Sequence, residues 1–234
     1  IRDKQKNIIP VTMIDVAVDK KTGIITFMND GNGIDIAKHP EHKIWIPEMI
    51  FGHLMTSTNY KKSEKKIVGG KNGFGVKLIF IYSKWAKIET VDHIRKKKYV
   101  QEFKNNLDIL EKPKITKATS TKPYVKISFL PDYERFGADG ITDDMFNLFK
   151  KRTFDIAAVT DKSVKVRFNH QMVPVRSLEQ YINLHIGEKS ETKRVFETAN
   201  ARWEYAVCLS PVDEFTQVSF VNGVYTGKGG KHVE

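Results

Sequence analysis

The segment IVGGKNGFGVK at 67–77 places four glycines, Gly69, Gly70, Gly73 and Gly75, within seven residues. Glycine costs backbone entropy, so such a cluster marks positive φ or close approach of the backbone to a ligand. A glycine-rich loop that runs into a helix presents N–H groups to an anion, and the helix start adds a favourable dipole. Lys71 and Lys77 add full positive charge. The pattern fits a phosphate cradle; the alternative is a structural glycine loop with no ligand. It is not a Walker loop, because GxxxxGK[ST] does not occur. It is not the dinucleotide fingerprint either, because GxGxxG is absent and no βαβ unit surrounds it.

Two further segments carry side chains suited to a nucleotide. NDGNGI at 29–34 follows an apolar run. A carboxamide such as Asn29 donates and accepts at once, which matches an adenine edge. Gly31 and Gly33 would let the backbone pass close to the ring, although Asn, Asp and Gly together also make an ordinary turn. In MTSTNY at 55–60, Ser57, Thr58 and Asn59 set three small hydrogen-bonding groups in series. They suit ribose or phosphate oxygens, or the waters of Mg²⁺; a helix C-cap and loop is the plainer reading.

These segments need elements to hold them. VTMIDVAV at 11–18 alternates and reads as a strand, Lys20 to Gly23 as a turn, and IITFM at 24–28 as the returning strand of a hairpin, broken by NDGNG. Pro47 opens a helix over PEMIFGHLM. A short apolar helix follows the glycine loop at 76–83. WAKIETVDH and RKKKYVQEFKNNLDIL read as strands, Pro113 to Pro123 as a linker, and YVKISFLPD at 124–132 as a strand. Residues 141–159 have helical spacing, with Thr142 as N-cap. Residues 164–175 form a hairpin around Asn169-His170, and 177–186 a short helix. The polar run at 187–193 suggests a domain boundary, with WEYAVCLS and TQVSFVNGV as strands of a second unit. Long strands, one interleaved helix and no βαβ rhythm predict an α+β fold.

The chain has 234 residues, 39 Lys+Arg against 28 Asp+Glu, and a net charge of +11. A balance this basic favours polyanionic partners, though a lysine-rich solvated surface would give the same sum. No run approaches a membrane span, and the first residues show no signal peptide. The lone cysteine, Cys208, excludes a disulfide framework and fits a reducing compartment.

Taken in order, the asparagine-led DGxG turn, a helix, a hydroxyl-rich loop and a glycine-rich loop before another helix resemble the Bergerat (GHKL) nucleotide fold. Gyrase, ninety-kilodalton heat-shock chaperones, histidine kinases and mismatch-repair clamps share it. IPEMIFGHLMTSTNY at 46–60, KKIVGGKNGFGVKL at 65–78, FKKRTFDIAA at 149–158 and QVSFVNGVYTGKGGKHV at 217–233 resemble type IIA DNA topoisomerases of the eukaryotic kind. The resemblance runs through nearly the whole chain, and the two loop motifs and the GGKHV tail are its most specific parts.

That resemblance implies a two-layer α/β sandwich over 1–187, lacking its N-terminal helix, and the start of an α+β transducer domain over 188–234. It implies ATP and Mg²⁺ as cofactors, with Asn29 at the adenine, Ser57, Thr58 and Asn59 at sugar and phosphate, and Gly70, Lys71, Asn72, Gly73, Phe74, Gly75, Val76 and Lys77 as the phosphate lid. The family mostly carries Arg, Tyr and Ala where this chain has Lys71, Phe74 and Val76; lid contacts run largely through backbone N–H, but Lys71 loses the arginine fork. The resemblance places the base glutamate and the Mg²⁺-holding asparagine upstream of Ile1, and the γ-phosphate lysine beyond Glu234. No catalytic residue is then expected inside the chain, and negligible hydrolysis by the isolated chain. Where gyrase has a threonine four residues before the phenylalanine that KISFLPD resembles, this chain has Val125, with Ser128 nearby but not assigned to that role. The implied partners are double-stranded DNA and a second protomer, with no membrane. The implied setting is the nucleus of a cell, or the host cytoplasm, virus factory or virion of a large DNA virus.

His39, His42 and His53, with Glu48 close in sequence, fit no zinc spacing and read as surface histidines. Cys208 reads as a small core residue, and Trp45, Trp85 and Trp203 as packing residues. RKKK at 95–98, and Lys151 and Arg152 on the long helix, are candidate DNA contacts or solvated cations. Rival readings are another Bergerat ATPase such as a mismatch-repair clamp, which lacks the GGKHV tail, a Bergerat protein kinase, and a basic DNA-binding module that hydrolyses nothing.

Overall fold

The computed structural model describes residues 9–54, 56, 69, 73–210 and 212–234. The alternating run near the start folds as β1 (Met13–Val18), and β2 (Ile25–Asp30) returns antiparallel, from Ile14 opposite Asn29 to Val18 opposite Ile25. Strand β2 runs two residues past the expected break. Asp30 holds it there by accepting hydrogen bonds from the Thr12 and Met13 amides, so the chain turns only at Gly31.

Helix α1 (Ile46–Gly52) carries Pro47 in its first turn, where a missing N–H costs nothing. Helix α2 (Gly75–Ile81) follows the glycine-rich loop. Strands β3 (Ser83–Asp92) and β4 (Lys97–Lys104) form the long hairpin. The expected continuation of β4 is interrupted: Asn105, Asn106 and Leu107 all take positive φ, which asparagine tolerates, before the short β5 (Ile109–Leu110). The expected linker at 113–123 contains β6 (Lys114–Lys117), paired with β4 from Lys97 opposite Lys117. Its composition hid it, since an edge strand needs only one apolar residue here, Ile115.

Strand β7 (Tyr124–Pro131) lies between β2 and β3. Helix α3 (Asp143–Ala158) starts at Thr142, whose hydroxyl accepts from the Met145 amide. Strands β8 (Lys165–Phe168) and β9 (Gln171–Met172) make a tight hairpin with Asn169 and His170 at positive φ. Helix α4 (Leu178–Ile186), capped by Ser177, ends at Gly187. The sheet order is β5-β4-β3-β7-β2-β1-β8-β9, with β6 also on β4. The β1–β8 pair is parallel and the others are antiparallel.

Register assigns the faces, because residues opposite one another in a ladder share a side. Ile25, Phe27 and Asn29 share theirs with Phe129, Ile127 and Val125 of β7 and with Ala86, Ile88 and Thr90 of β3. The helices pack on this inner face. Phe80 of α2 lies 5.6 Å from the Phe51 ring of α1 and 5.1 Å from Phe103 of β4. Phe149 and Phe146 of α3 meet Phe27 and Phe168. Full burial of a ring such as Phe80 contributes about 2–3 kcal/mol.

Beyond α4, β10 (Arg194–Asn200) and β11 (Trp203–Cys208) form a separate two-stranded sheet. The first of these was not expected from its sequence, since RVFETAN alternates poorly. Trp203, expected as a packing residue, is exposed here, and Cys208, expected as a core residue, is half-buried. Strands β12 (Phe220–Val221) and β13 (Val224–Tyr225) turn back onto the helices. The Phe220 ring meets Tyr181 at 6.0 Å, and the Tyr225 ring lies under Lys151 at 4.1 Å and Arg152 at 4.9 Å. Those two cations also hold the buried Asp155, which accepts from the Tyr181 hydroxyl at 2.6 Å.

Asp92 closes the end of β3 and is fully buried. It accepts from the amides of Ile36, Ile94 and Arg95 and from the Arg95 guanidinium, at 2.8–3.0 Å. Burial pushes its pKa up, but these hydrogen bonds outweigh that and hold it below the ordinary aspartate value. A carboxylate lowered in this way contributes stability above its unfolded pKa of about 3.9, and loses it as pH falls through the folded value. Asp92→Asn is expected to cost about 2 kcal/mol at pH 7 and to flatten the fall in melting temperature below about pH 4. A variant that melts with the wild type at pH 7 would contradict this.

Candidate functional site

Asn29 is the polar end of an inner stripe that is otherwise apolar. It sits in β2 with β1 on one side and β7 on the other, so its position is set by two ladders. Its Nδ2 donates to the Asp30 carbonyl at 2.7 Å. This leaves Oδ1 and one N–H without a partner among the described residues, an acceptor beside a donor on the helix-bearing side of the sheet. Val125 is its ladder partner on that side. Ser128 faces the other way, its hydroxyl 3.0 Å from Thr26 Oγ1, and so cannot stand in for a threonine at this edge.

Burial works to raise the pKa of Asp30, and the hydrogen bonds from the Thr12 hydroxyl and the Thr12 and Met13 amides overcome it, so the carboxylate titrates below the ordinary range. It thus stays charged and fixes the turn. Gly31 takes φ +113 against Val11. Gly33, at φ +73, is pressed against the protein's own backbone: a Cβ there would lie 1.8 Å from the Val91 carbonyl oxygen. The turn is then laced along the end of β3. The Asn32 carbonyl accepts from the His93 amide at 3.1 Å, and the Ile34 amide donates to Thr90 Oγ1 at 2.9 Å.

Of the residues that the resemblance assigns to the lid, Gly73, Phe74, Gly75, Val76 and Lys77 are described. Ser57, Thr58, Asn59, Gly70, Lys71 and Asn72 lie outside the described residues. Gly73 takes φ +68, Phe74 is exposed, and α2 begins at Gly75, where an added Cβ would meet nothing within 4 Å. Lys77 lies one turn into α2 and is only 3% exposed. Its Nζ donates to Thr56 Oγ1 at 2.8 Å and to the Gly73 carbonyl at 2.9 Å. No carboxylate pairs with it among the described residues. Burial therefore pulls its pKa below the ordinary lysine value. A buried ammonium held only by neutral oxygens is costly unless an anion completes it.

Thr56 was not singled out from the sequence, though it precedes the three hydroxyl and amide residues expected at the sugar. It links α1 to Lys77, since its hydroxyl also lies 3.1 Å from the Met49 carbonyl. Gly69, at the head of the loop, meets β13: an added Cβ would lie 2.6 Å from Val224. Of the candidate DNA contacts, Arg95, Lys98, Lys151 and Arg152 are engaged within the protein. Arg95 pairs with Asp92 and Asp35, Lys98 with Glu89, and Lys151 and Arg152 with Asp155. Among the described residues, no helix is long and apolar enough to cross a membrane.

No family model matches the chain. Curated relatives do. The chain is 46% identical over 235 residues to the DNA topoisomerase 2 of Acanthamoeba polyphaga mimivirus, covering 99% of this chain and 18% of that protein. It is 46% identical over 221 residues to a probable DNA topoisomerase 2 of Dictyostelium discoideum, covering 94% of this chain and 14% of that one. The chain thus spans less than a fifth of the length of these relatives. Among solved structures, the ATPase region of Saccharomyces cerevisiae topoisomerase II superposes with a TM-score of 0.90 at 38% identity, over 95% of this chain and 58% of that one. The 43K ATPase domain of Thermus thermophilus gyrase B, at 17% identity and a TM-score of 0.60 over 84% of this chain and 50% of that one, shares the fold. The α+β sheet with its one-sided helix layer is therefore the GHKL arrangement, and the chain belongs to the DNA topoisomerase 2 family, as the counterpart of part of its ATPase region.

Proposed function

We propose that this chain binds ATP with Mg²⁺ between the turn at Asn29 and the lid at 70–77, and that it is part of the ATP-operated clamp of a type II DNA topoisomerase. The observation that carries this is Lys77, a buried cation with no carboxylate partner among the described residues, on the side of the sheet where Asn29 keeps an open carboxamide edge. The adenine edge is read by Asn29, the sugar and phosphates by Ser57, Thr58 and Asn59, and the phosphates by Gly70, Lys71, Asn72, Gly73, Phe74, Gly75, Val76 and Lys77. Mg²⁺ offsets phosphate charge when bound. Nucleotide contacts order the lid, two protomers close on a DNA duplex, and hydrolysis resets them. The complete enzyme passes one duplex through a transient double-strand break in another. Residues 1–187 form the ATP-binding domain and 188–234 the start of the transducer. The enzyme works on DNA in the nucleus of a cell, or in the host cytoplasm, virus factory or virion if viral.

The test is calorimetry with a non-hydrolysable ATP analogue and Mg²⁺ on the complete ATPase region, wild type and Asn29→Ala. Loss of a buried carboxamide pair costs about 1.5–2 kcal/mol, so affinity should fall about 10- to 30-fold. Adenine should be preferred over guanine in the wild type only. Equal affinity of the two proteins, or no binding by either, would overturn the reading.

A further inference from the structure

The loop between β2 and α1 brings together three metal-ligand side chains that nucleotide binding does not use. His39, Glu41 and His42 each offer one ligand atom, and these atoms lie within 4.8 Å of one another. The imidazoles of His39 and His42 are stacked with centroids 4.8 Å apart. We propose that these three residues form a site for a borderline divalent transition-metal ion, zinc above all, which fastens this loop; the site stands apart from the nucleotide reading and does not depend on it.

The backbone is built to hold such a set. The His39 amide donates to the Ile44 carbonyl at 2.8 Å, the Lys43 amide to the His39 carbonyl at 3.0 Å, and the Ile46 amide to the Ala37 carbonyl at 2.9 Å. Lys38 bridges to Trp45 across the base, and Pro40 fixes φ between the two histidines. Lys43 takes φ +57 to close the turn. The loop is therefore a staple of eight residues, 38–45, rather than a loose excursion.

The side chains are available. No hydrogen bond or ion pair engages the Glu41 carboxylate or the His42 ring nitrogens among the described residues. The Lys38 ammonium is drawn over the Trp45 ring at 5.6 Å. His39 Nδ1 accepts from the Glu41 and His42 amides, both at 3.3 Å, which are long contacts and cheap to give up. Zinc takes imidazole and carboxylate ligands at about 2.0–2.2 Å, which sets ligand atoms roughly 3.2–3.6 Å apart. The three side chains need close by only about 1–1.5 Å to reach that, a change small enough for exposed rotamers. Two imidazoles and one carboxylate select zinc, nickel or copper; Mg²⁺ and Ca²⁺ prefer oxygen cages. Three protein ligands leave room for water. His53 does not join this set: it lies 3.6 Å from Glu48 at the end of α1.

The experiment is titration of the untagged complete protein with Zn²⁺ by calorimetry, with histidine ring resonances followed in parallel. We expect one ion per chain, selective shifts of the His39 and His42 rings, and no displacement by millimolar Mg²⁺. His42→Ala should weaken binding about tenfold or more, with Glu41→Gln a smaller loss. The loop is on the surface, so both variants should keep the wild-type circular dichroism. The absence of saturable Zn²⁺ binding would overturn the proposal. So would binding undiminished in a His39→Ala, His42→Ala double variant, or an ion that Mg²⁺ displaces.

Discussion

Lys77→Met is expected to weaken binding of a non-hydrolysable ATP analogue about 100-fold while leaving the fold as stable as before or more so. The two halves of this expectation come from one fact. Lys77 is buried, and among the described residues its partners are Thr56 and the Gly73 carbonyl. A charged hydrogen bond to phosphate is worth about 1.5–3 kcal/mol, which at its upper end is about two decades in affinity. Removing a buried cation that has no carboxylate partner among the described residues relieves desolvation, and an apolar side chain of similar length fills the same space. Most substitutions at a site that is 97% buried would be expected to destabilise. Calorimetry and thermal melts on the same protein separate the cases. A large fall in melting temperature with unchanged affinity would mean that Lys77 is a structural lysine, and the site would lose its main support.

Gly33→Ala carries the largest expected cost in stability. An alanine at φ +73 costs about 1 kcal/mol in backbone strain. The Cβ would also sit 1.8 Å from the Val91 carbonyl oxygen, which is backbone and cannot rotate away. The turn or the end of β3 must move, and the bonds from Ile34 to Thr90 and from His93 to Asn32 go with it. Overpacking of this kind adds about 1–3 kcal/mol, for a total of about 2–4 kcal/mol. For a chain of this size that lowers the melting temperature by roughly 4–16 °C. Gly75→Ala is the contrast. It opens α2 in free space, so the same added methyl should leave stability unchanged or raise it by up to about 1 kcal/mol. If both variants melted together, steric contact at Gly33 would not be what the position requires.

Much of the architecture was legible because periodicity and caps act locally. The alternation of β1, the Thr142 cap of α3 and the Asn169-His170 turn each declared themselves in a few residues. What escaped was decided at longer range. Nothing within KITK marks it as a strand; β4 makes it one by offering an unpaired edge. Three left-handed residues at 105–107 end β4 because Asn105 and Asn106 donate back to Lys84 and Ser83, bonds that exist only once β3 is in place. The site divides in the same way. Asn29 and the lid glycines stood out by residue type. Gly33 stood out too, but what fills the space beside it is the Val91 carbonyl, a neighbour 58 positions away in the chain by residue number. Thr56 and Asp92 gave no signal, since a lone threonine or aspartate has meaning only through the groups it reaches.

The mounting of the two ends of the site has a kinetic consequence. Asn29 belongs to a strand hydrogen-bonded on both edges, whereas Lys77 rides on a helix of seven residues. Amide exchange should therefore report two clocks: protons around Asn29 released only by global unfolding, and those of α2 by local opening. A base would meet a surface already in place, and phosphates a surface that has to settle around them. Recognition of the base would then be read in the dissociation rate, and settling of the helix in a slower step after encounter, so that nucleotide capture proceeds in two stages with an order set by the fold.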